Sequence, residues 1–146
     1  MSHFSTNSRR NPVTIKGIQL RFFLIYTLAV ITVGITLDLV GADGGISVNI
    51  AVLAGSVVWA CASFVRANCR YFSRQEKMMV VAGFLAIDLA IQVLLGAAAL
   101  VQTPSGVDVG ALLFAVGLVG ILHGIAIYLF VTVAGRSVLK QDPVNT

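Results

Sequence analysis

The chain has 146 residues, 58% of them hydrophobic and 11% charged, with a net charge of +4. Soluble domains carry about 25% charged residues, so composition excludes a water-solvated globule. The 10 Lys and Arg residues fall in three short clusters, and of them only Arg21 lies inside a long apolar run, near its start. They therefore mark helix ends and contact anionic headgroups, and they do not form a face for nucleic acid.

A hydrocarbon core of about 30 Å needs roughly 20 apolar residues per helix. Four segments meet that requirement, at about 17–40, 47–65, 78–101 and 109–134. The predicted fold class is an all-α membrane protein, with four transmembrane helices arranged as two tight hairpins. Residues 1–146 form a single membrane domain with tails at 1–16 and 135–146. Arg9, Arg10 and Lys16 precede the first run and Arg21 lies near its start, Arg66, Arg70, Arg74 and Lys77 lie between the second and third, and Arg136 and Lys140 follow the fourth. The outer connections hold only acidic charge, Asp43 and Asp108, with Asp38 just inside the first run's end. The positive-inside rule then predicts both termini in the cytoplasm.

In chain order, the polar N-terminal tail leads into a helix that opens with Arg21, Phe22, Phe23 and Tyr26. These residues read as a basic and aromatic girdle at the inner interface. The run exceeds the roughly 7–15 residues of a signal-peptide core and three more spans follow it, so it is expected to be retained. Gly41-Ala42-Asp43-Gly44-Gly45 is a glycine turn that reverses the chain. In the second helix Cys61 lies toward the cytoplasmic end and Cys69 beyond it, both on the reducing side, so no disulfide is expected.

The link between the hairpins carries Ser73-Arg74-Gln75-Glu76, which has capping-box spacing and starts the third helix near Arg74. Arg66 and Arg70 are four apart and share a face if the second helix extends that far. Phe64-Val65-Arg66, Arg70, Phe72-Ser73 and Glu76 resemble the loop motif of a family of small four-helix bacterial inner-membrane proteins. The resemblance implies a bacterial inner membrane and brings no activity with it.

Asp88 sits in the middle of the third run, where a carboxylate costs about 2.5–3.5 kcal/mol to insert. It should therefore face protein or water and have a partner. His123 in the fourth run is the candidate: counted inward from Met78 and Ala134 at 1.5 Å per residue, both lie roughly 15–17 Å deep. Gln92, one turn after Asp88, extends the polar stripe. Thr32 and Ser56 can add hydroxyls near that depth. The third and fourth helices are joined through Thr103-Pro104-Ser105-Gly106. Gly117, Gly120 and Gly124 flank His123, and Gly110, Gly117 and Gly124 repeat every seven residues, so this face is expected to pack against a helix.

No strained Gly-x-Ser-x-Gly turn, zinc-spaced Cys and His cluster or phosphate-binding glycine loop occurs, so neither an enzyme nor a cofactor or metal is expected. The implied partners are the lipid bilayer and either a membrane protein or a second copy of the chain. Three function classes fit: helix–helix interaction with another membrane protein, with immunity against a membrane-acting toxin as its most specific form, which is favoured because nothing in the chain demands transport; a small proton-coupled transporter using Asp88 and His123; and a subunit that steadies a larger membrane complex.

Overall fold

A computed structural model of the chain describes residues 12–42, 46–102 and 109–141. Four helices make it up: α1 (Ile15–Val40), α2 (Ile46–Asn68), α3 (Arg74–Gln102) and α4 (Val109–Gln141). Each is long and apolar enough to cross a membrane, so the chain is a multi-pass membrane protein. Residues 1–11 of the N-terminal tail, Asp43, Gly44 and Gly45 of the first turn, and the Thr103-Pro104-Ser105-Gly106 link lie outside the described residues.

Local signals set the helix ends. Thr14 caps α1 by accepting the Gly17 amide at 3.2 Å, and Gly41 closes it in the left-handed region, at φ 64°. At α3 the capping box forms: the Ser73 amide donates to Glu76 Oε2 at 2.8 Å and the Glu76 amide to Ser73 Oγ at 3.3 Å. α2 stops at Asn68 because Cys69 adopts φ 52°. Asn68 Nδ2 donates to the Phe64 carbonyl at 3.0 Å and to the Val13 carbonyl at 3.2 Å, which ties this helix end to the start of α1. Arg70 therefore lies past the helix end and does not share a helical face with Arg66.

α1 packs on α2 and α3, and α4 packs on the same two helices. Around the bundle the order is thus α1, α2, α4, α3, with α2 and α3 on a diagonal. Buried residues crowd toward the basic end of the bundle, where Ile18, Phe22 and Tyr26 of α1 meet Val57, Ala60 and Phe64 of α2, Val80 and Phe84 of α3, and Ile127 and Val131 of α4. No residue of α1 after Tyr26 is fully buried. Large apolar side chains such as Leu24, Leu28, Leu94 and Leu122 point outward, the arrangement expected when the solvent is lipid.

Candidate functional site

Three helices bring polar side chains to one point in the core. Asp88 stands at the midpoint of α3 and Gln92 one turn later on the same face. His123 belongs to the buried stripe His123, Ile127, Val131 of α4, and Tyr26 to the stripe Ile18, Phe22, Tyr26 of α1. Each stripe steps by four residues, which turns successive side chains to one side of the helix.

Asp88 is 0% exposed and its two oxygens are fully engaged. The Tyr26 hydroxyl donates to Oδ1 at 2.5 Å. Gln92 Nε2 donates to Oδ2 at 2.8 Å, and His123 Nδ1 lies 2.8 Å from the same oxygen. Gln92 Nε2 and His123 Nδ1 are themselves 2.9 Å apart. On the basic side the cluster is roofed by Phe22, which stacks on Tyr26 at 5.3 Å and on Phe84 at 4.0 Å between ring centroids. A carboxylate at this depth is tolerable because three donors replace the water it has lost.

The proton arithmetic of the triangle is definite. With Asp88 ionised, Nδ1 carries a hydrogen and donates to Oδ2, and the Gln92 amide also donates to Oδ2. With Asp88 protonated on Oδ2, that hydroxyl donates to a bare Nδ1 and fills its single lone pair, His123 Nε2 carries the ring hydrogen, and the same amide keeps donating to Oδ2. One set of heavy-atom positions satisfies both placements, since Oδ2 keeps a lone pair for the Gln92 amide in each. From α2 no charged group joins them. Ser56 is buried but bonded to the Val52 carbonyl of its own helix at 2.8 Å, and the Cys61 thiol meets Tyr71 instead.

Other expected contributors lie elsewhere. Thr32 is exposed and its carbonyl accepts from Thr36, so it is no part of the cluster. Tyr26 is not an interfacial girdle residue, being 1% exposed with its hydroxyl on Asp88. Gly120 and Gly124 approach Leu89 and Leu85 of α3, and a Cβ at Gly120 would lie 3.1 Å from Leu89 Cδ2. A Cβ at Gly117 would meet nothing within 4 Å, so the close packing expected there is not made among the described residues. The tightest approach is at Gly83, where a Cβ would fall 2.1 Å from Gln19 Nε2, the amide that donates to the Met79 carbonyl at 3.1 Å. That α1–α3 contact has no counterpart in the sequence reading.

The link residues form a second, exposed constellation. Arg70 grips Glu76 through two nitrogens at 2.7 and 2.8 Å, which holds the Arg70 guanidinium above its ordinary range. Glu76 at the same time caps α3, so Arg70, Ser73 and Glu76 act as one cap, whereas Arg66 stays exposed at the end of α2. Nearby, Lys77 Nζ donates to Thr132 Oγ1 at 2.5 Å and lies 4.2 Å from the Tyr128 ring centroid. The Tyr71 hydroxyl donates to the Val131 carbonyl. Among the described residues no group of three or more His, Cys, Asp or Glu is arranged to hold a metal.

Tyr26 was within reach of the depth count that pairs Asp88 with His123. It lies as many residues after Ile15, the start of α1, as His123 lies before Ala134. A tyrosine near an arginine reads as interfacial, and only its helix's packing shows that it faces inward. No known protein family, curated protein or solved structure matches the chain, so the chemistry of the cluster is read from its residues alone.

Proposed function

We propose that the protein is a non-catalytic, proton-binding membrane protein of the small proton-coupled transporter type. In this reading Asp88 and His123 take up and release a proton, and Tyr26 reports it to the other hairpin. The observation that carries this is the 2.8 Å contact of His123 Nδ1 with Asp88 Oδ2, between a carboxylate 0% exposed and an imidazole 5% exposed, because a proton taken up by the pair can rest on either partner without moving a heavy atom. An intramembrane carboxylate paired with an imidazole suits reversible proton binding, since the only side chain that ordinarily titrates near neutral pH lies beside it. The coupling follows from bond strength: a hydrogen bond to an ionised carboxylate is roughly twice as strong as one to a neutral acid. Protonating Asp88 therefore weakens the hold of α3 on Tyr26 and loosens α1.

The basic clusters support an orientation with that end of the bundle cytoplasmic, and the loop motif supports a bacterial inner membrane. The test is proton movement in proteoliposomes that enclose a pH-sensitive dye, under an imposed pH gradient and with a panel of lipophilic cations outside. Wild-type protein should give cation-dependent proton flux that Asp88→Asn abolishes. Equal dye signals from wild type, Asp88→Asn and empty vesicles would refute the reading.

A second reading rests on a different observation. On the outer side of the α3–α4 pair lies an apolar groove of about 540 Å³, bordered by Leu85, Leu89, Gly117, Gly120 and Gly124, with Gly117 open to it. A transmembrane helix of another protein could lie there, as immunity against a membrane-acting toxin would require. Gly117→Leu fills the groove and leaves Asp88 untouched, while Asp88→Asn does the reverse. Protection from a toxin encoded beside the gene, lost in Gly117→Leu and kept in Asp88→Asn, would decide for interaction.

A further inference from the structure

Between the outer halves of α1 and α2 lies a cavity of about 340 Å³, lined among others by Val30, Gly34, Asp38, Asn49 and Val52. Asp38 stands at its outer end, exposed, and its carboxylate makes no hydrogen bond or ion pair with the described residues. Its inner end, Val30, is one helical turn from Tyr26. On α1 the wall continues inward along one face, since Leu37, Gly34, Val30 and Thr27 recur at steps of three and four. Thr27 Oγ1 is buried and finds no hydrogen-bond partner among the described residues. On α2 the corresponding next turn inward is Ser56, buried and bonded to the Val52 carbonyl in the cavity wall.

A buried hydroxyl without a protein partner calls for a water. Here that hydroxyl is adjacent in sequence to the tyrosine that touches the central carboxylate, and lies on the face that leads out to Asp38. We infer that the α1–α2 hairpin forms a water-filled half-channel, with water and protons as its ligands, running from the Asp38 end of the bundle to Tyr26 and Asp88. The inference rests on the proton-binding reading above and adds the side from which the proton arrives. Asp38 and Asn49 hold water at the mouth, the Val30 and Val52 side chains narrow the floor, and Thr27 binds the innermost water. A proton crosses the last step when Tyr26 gives its hydroxyl hydrogen to Oδ1 of ionised Asp88 and takes one from a hydronium formed at that water, so the phenol keeps one hydrogen and a neutral water remains. On the other side Phe22 and Phe84 stack over the cluster at 4.0 Å between centroids, which directs access to the Asp38 end.

Cysteine labelling tests the route. In the full chain carrying Cys61→Ala and Cys69→Ser, single Val30→Cys and Gly34→Cys variants in liposomes are exposed to a charged methanethiosulfonate. Ile31→Cys and Ile35→Cys serve as controls, because these neighbours at nearly the same depth are exposed on the outside of the bundle. The half-channel requires the first pair to react at least ten-fold faster than the second. Gly34→Leu, at a position where a Cβ would meet nothing within 4 Å among the described residues, should fold normally and slow labelling at Val30→Cys by a similar factor. Equal rates for the two pairs, or no effect of Gly34→Leu, would overturn the half-channel. Those results are independent of Asp88. Fast labelling without any Asp88-dependent proton flux refutes the proton reading and leaves the water path, and slow labelling with intact flux refutes the path and leaves the reading.

Discussion

Toward the basic end of the bundle Phe22 lies between Tyr26 and Phe84, Phe64 stacks on Phe72 at 4.2 Å, and Gln19, Asn68, Tyr71 and Lys77 each bond to another helix or to the chain preceding one. Toward the Asp38 end the same kind of apolar sequence leaves α1 without a buried residue after Tyr26 and a cavity between α1 and α2. Hydrophobicity does not separate the two halves, because lipid is as apolar as leucine and does not drive helices together. What separates them is interlocking shape and interhelical hydrogen bonding, present in one half and sparse in the other. The polar cluster sits at the boundary, closed on one side and approached by the cavity on the other.

Substitutions on either side of that boundary should differ in size. Asp88→Ala, at the boundary itself, leaves Tyr26, Gln92 and His123 without their acceptor. With interhelical bonds worth up to about 1.7 kcal/mol each, a loss of about 3 kcal/mol is expected in detergent–denaturant unfolding. Phe22→Ala on the packed side should cost about 2 kcal/mol by the same measurement. That is below the usual 3–5 for a buried Phe, since the transfer part of the cost is missing in a bilayer. Tyr26→Phe keeps the ring stack and removes only the bond to Asp88, for about 1–1.5 kcal/mol. Cys69→Gly relieves a left-handed backbone at the end of α2 and should stabilise by about 1 kcal/mol. Leu37→Ala, in the cavity wall, should change stability by less than about 0.5 kcal/mol. A cost at Leu37 equal to that at Phe22 would erase the contrast between the halves.

Much of the fold was legible because lipid imposes simple rules. Helix number and approximate limits followed from run length, and the start of α3 from the Ser73 and Glu76 spacing. The meeting of Asp88 with His123 followed from depth alone, since helices that form a hairpin bring equal depths together. Rotation about the helix axis was not legible: α1 is apolar on every side, so nothing in its pattern marked the face holding Tyr26 as inward and that of Thr32 as outward. The glycines show the same gap. Gly117, Gly120 and Gly124 share a spacing, yet only the latter two meet α3, and the closest approach falls on Gly83, an isolated glycine whose neighbour Gln19 belongs to another helix. α2 runs on past the end of its apolar run, to Asn68, and what stops it there is a cysteine at φ 52°, where sequence rules look for glycine.

The proton-binding claim is tested most directly by infrared spectroscopy of the purified protein in lipid nanodiscs, following the carboxylic acid C=O band as pH is stepped across the neutral range. Reversible binding at the cluster requires a band that grows as pH falls, disappears in Asp88→Asn, and shifts in both Tyr26→Phe and His123→Gln. A spectrum that does not change with pH, or a changing band that persists in Asp88→Asn, would contradict it and leave the cluster as a lock between helices.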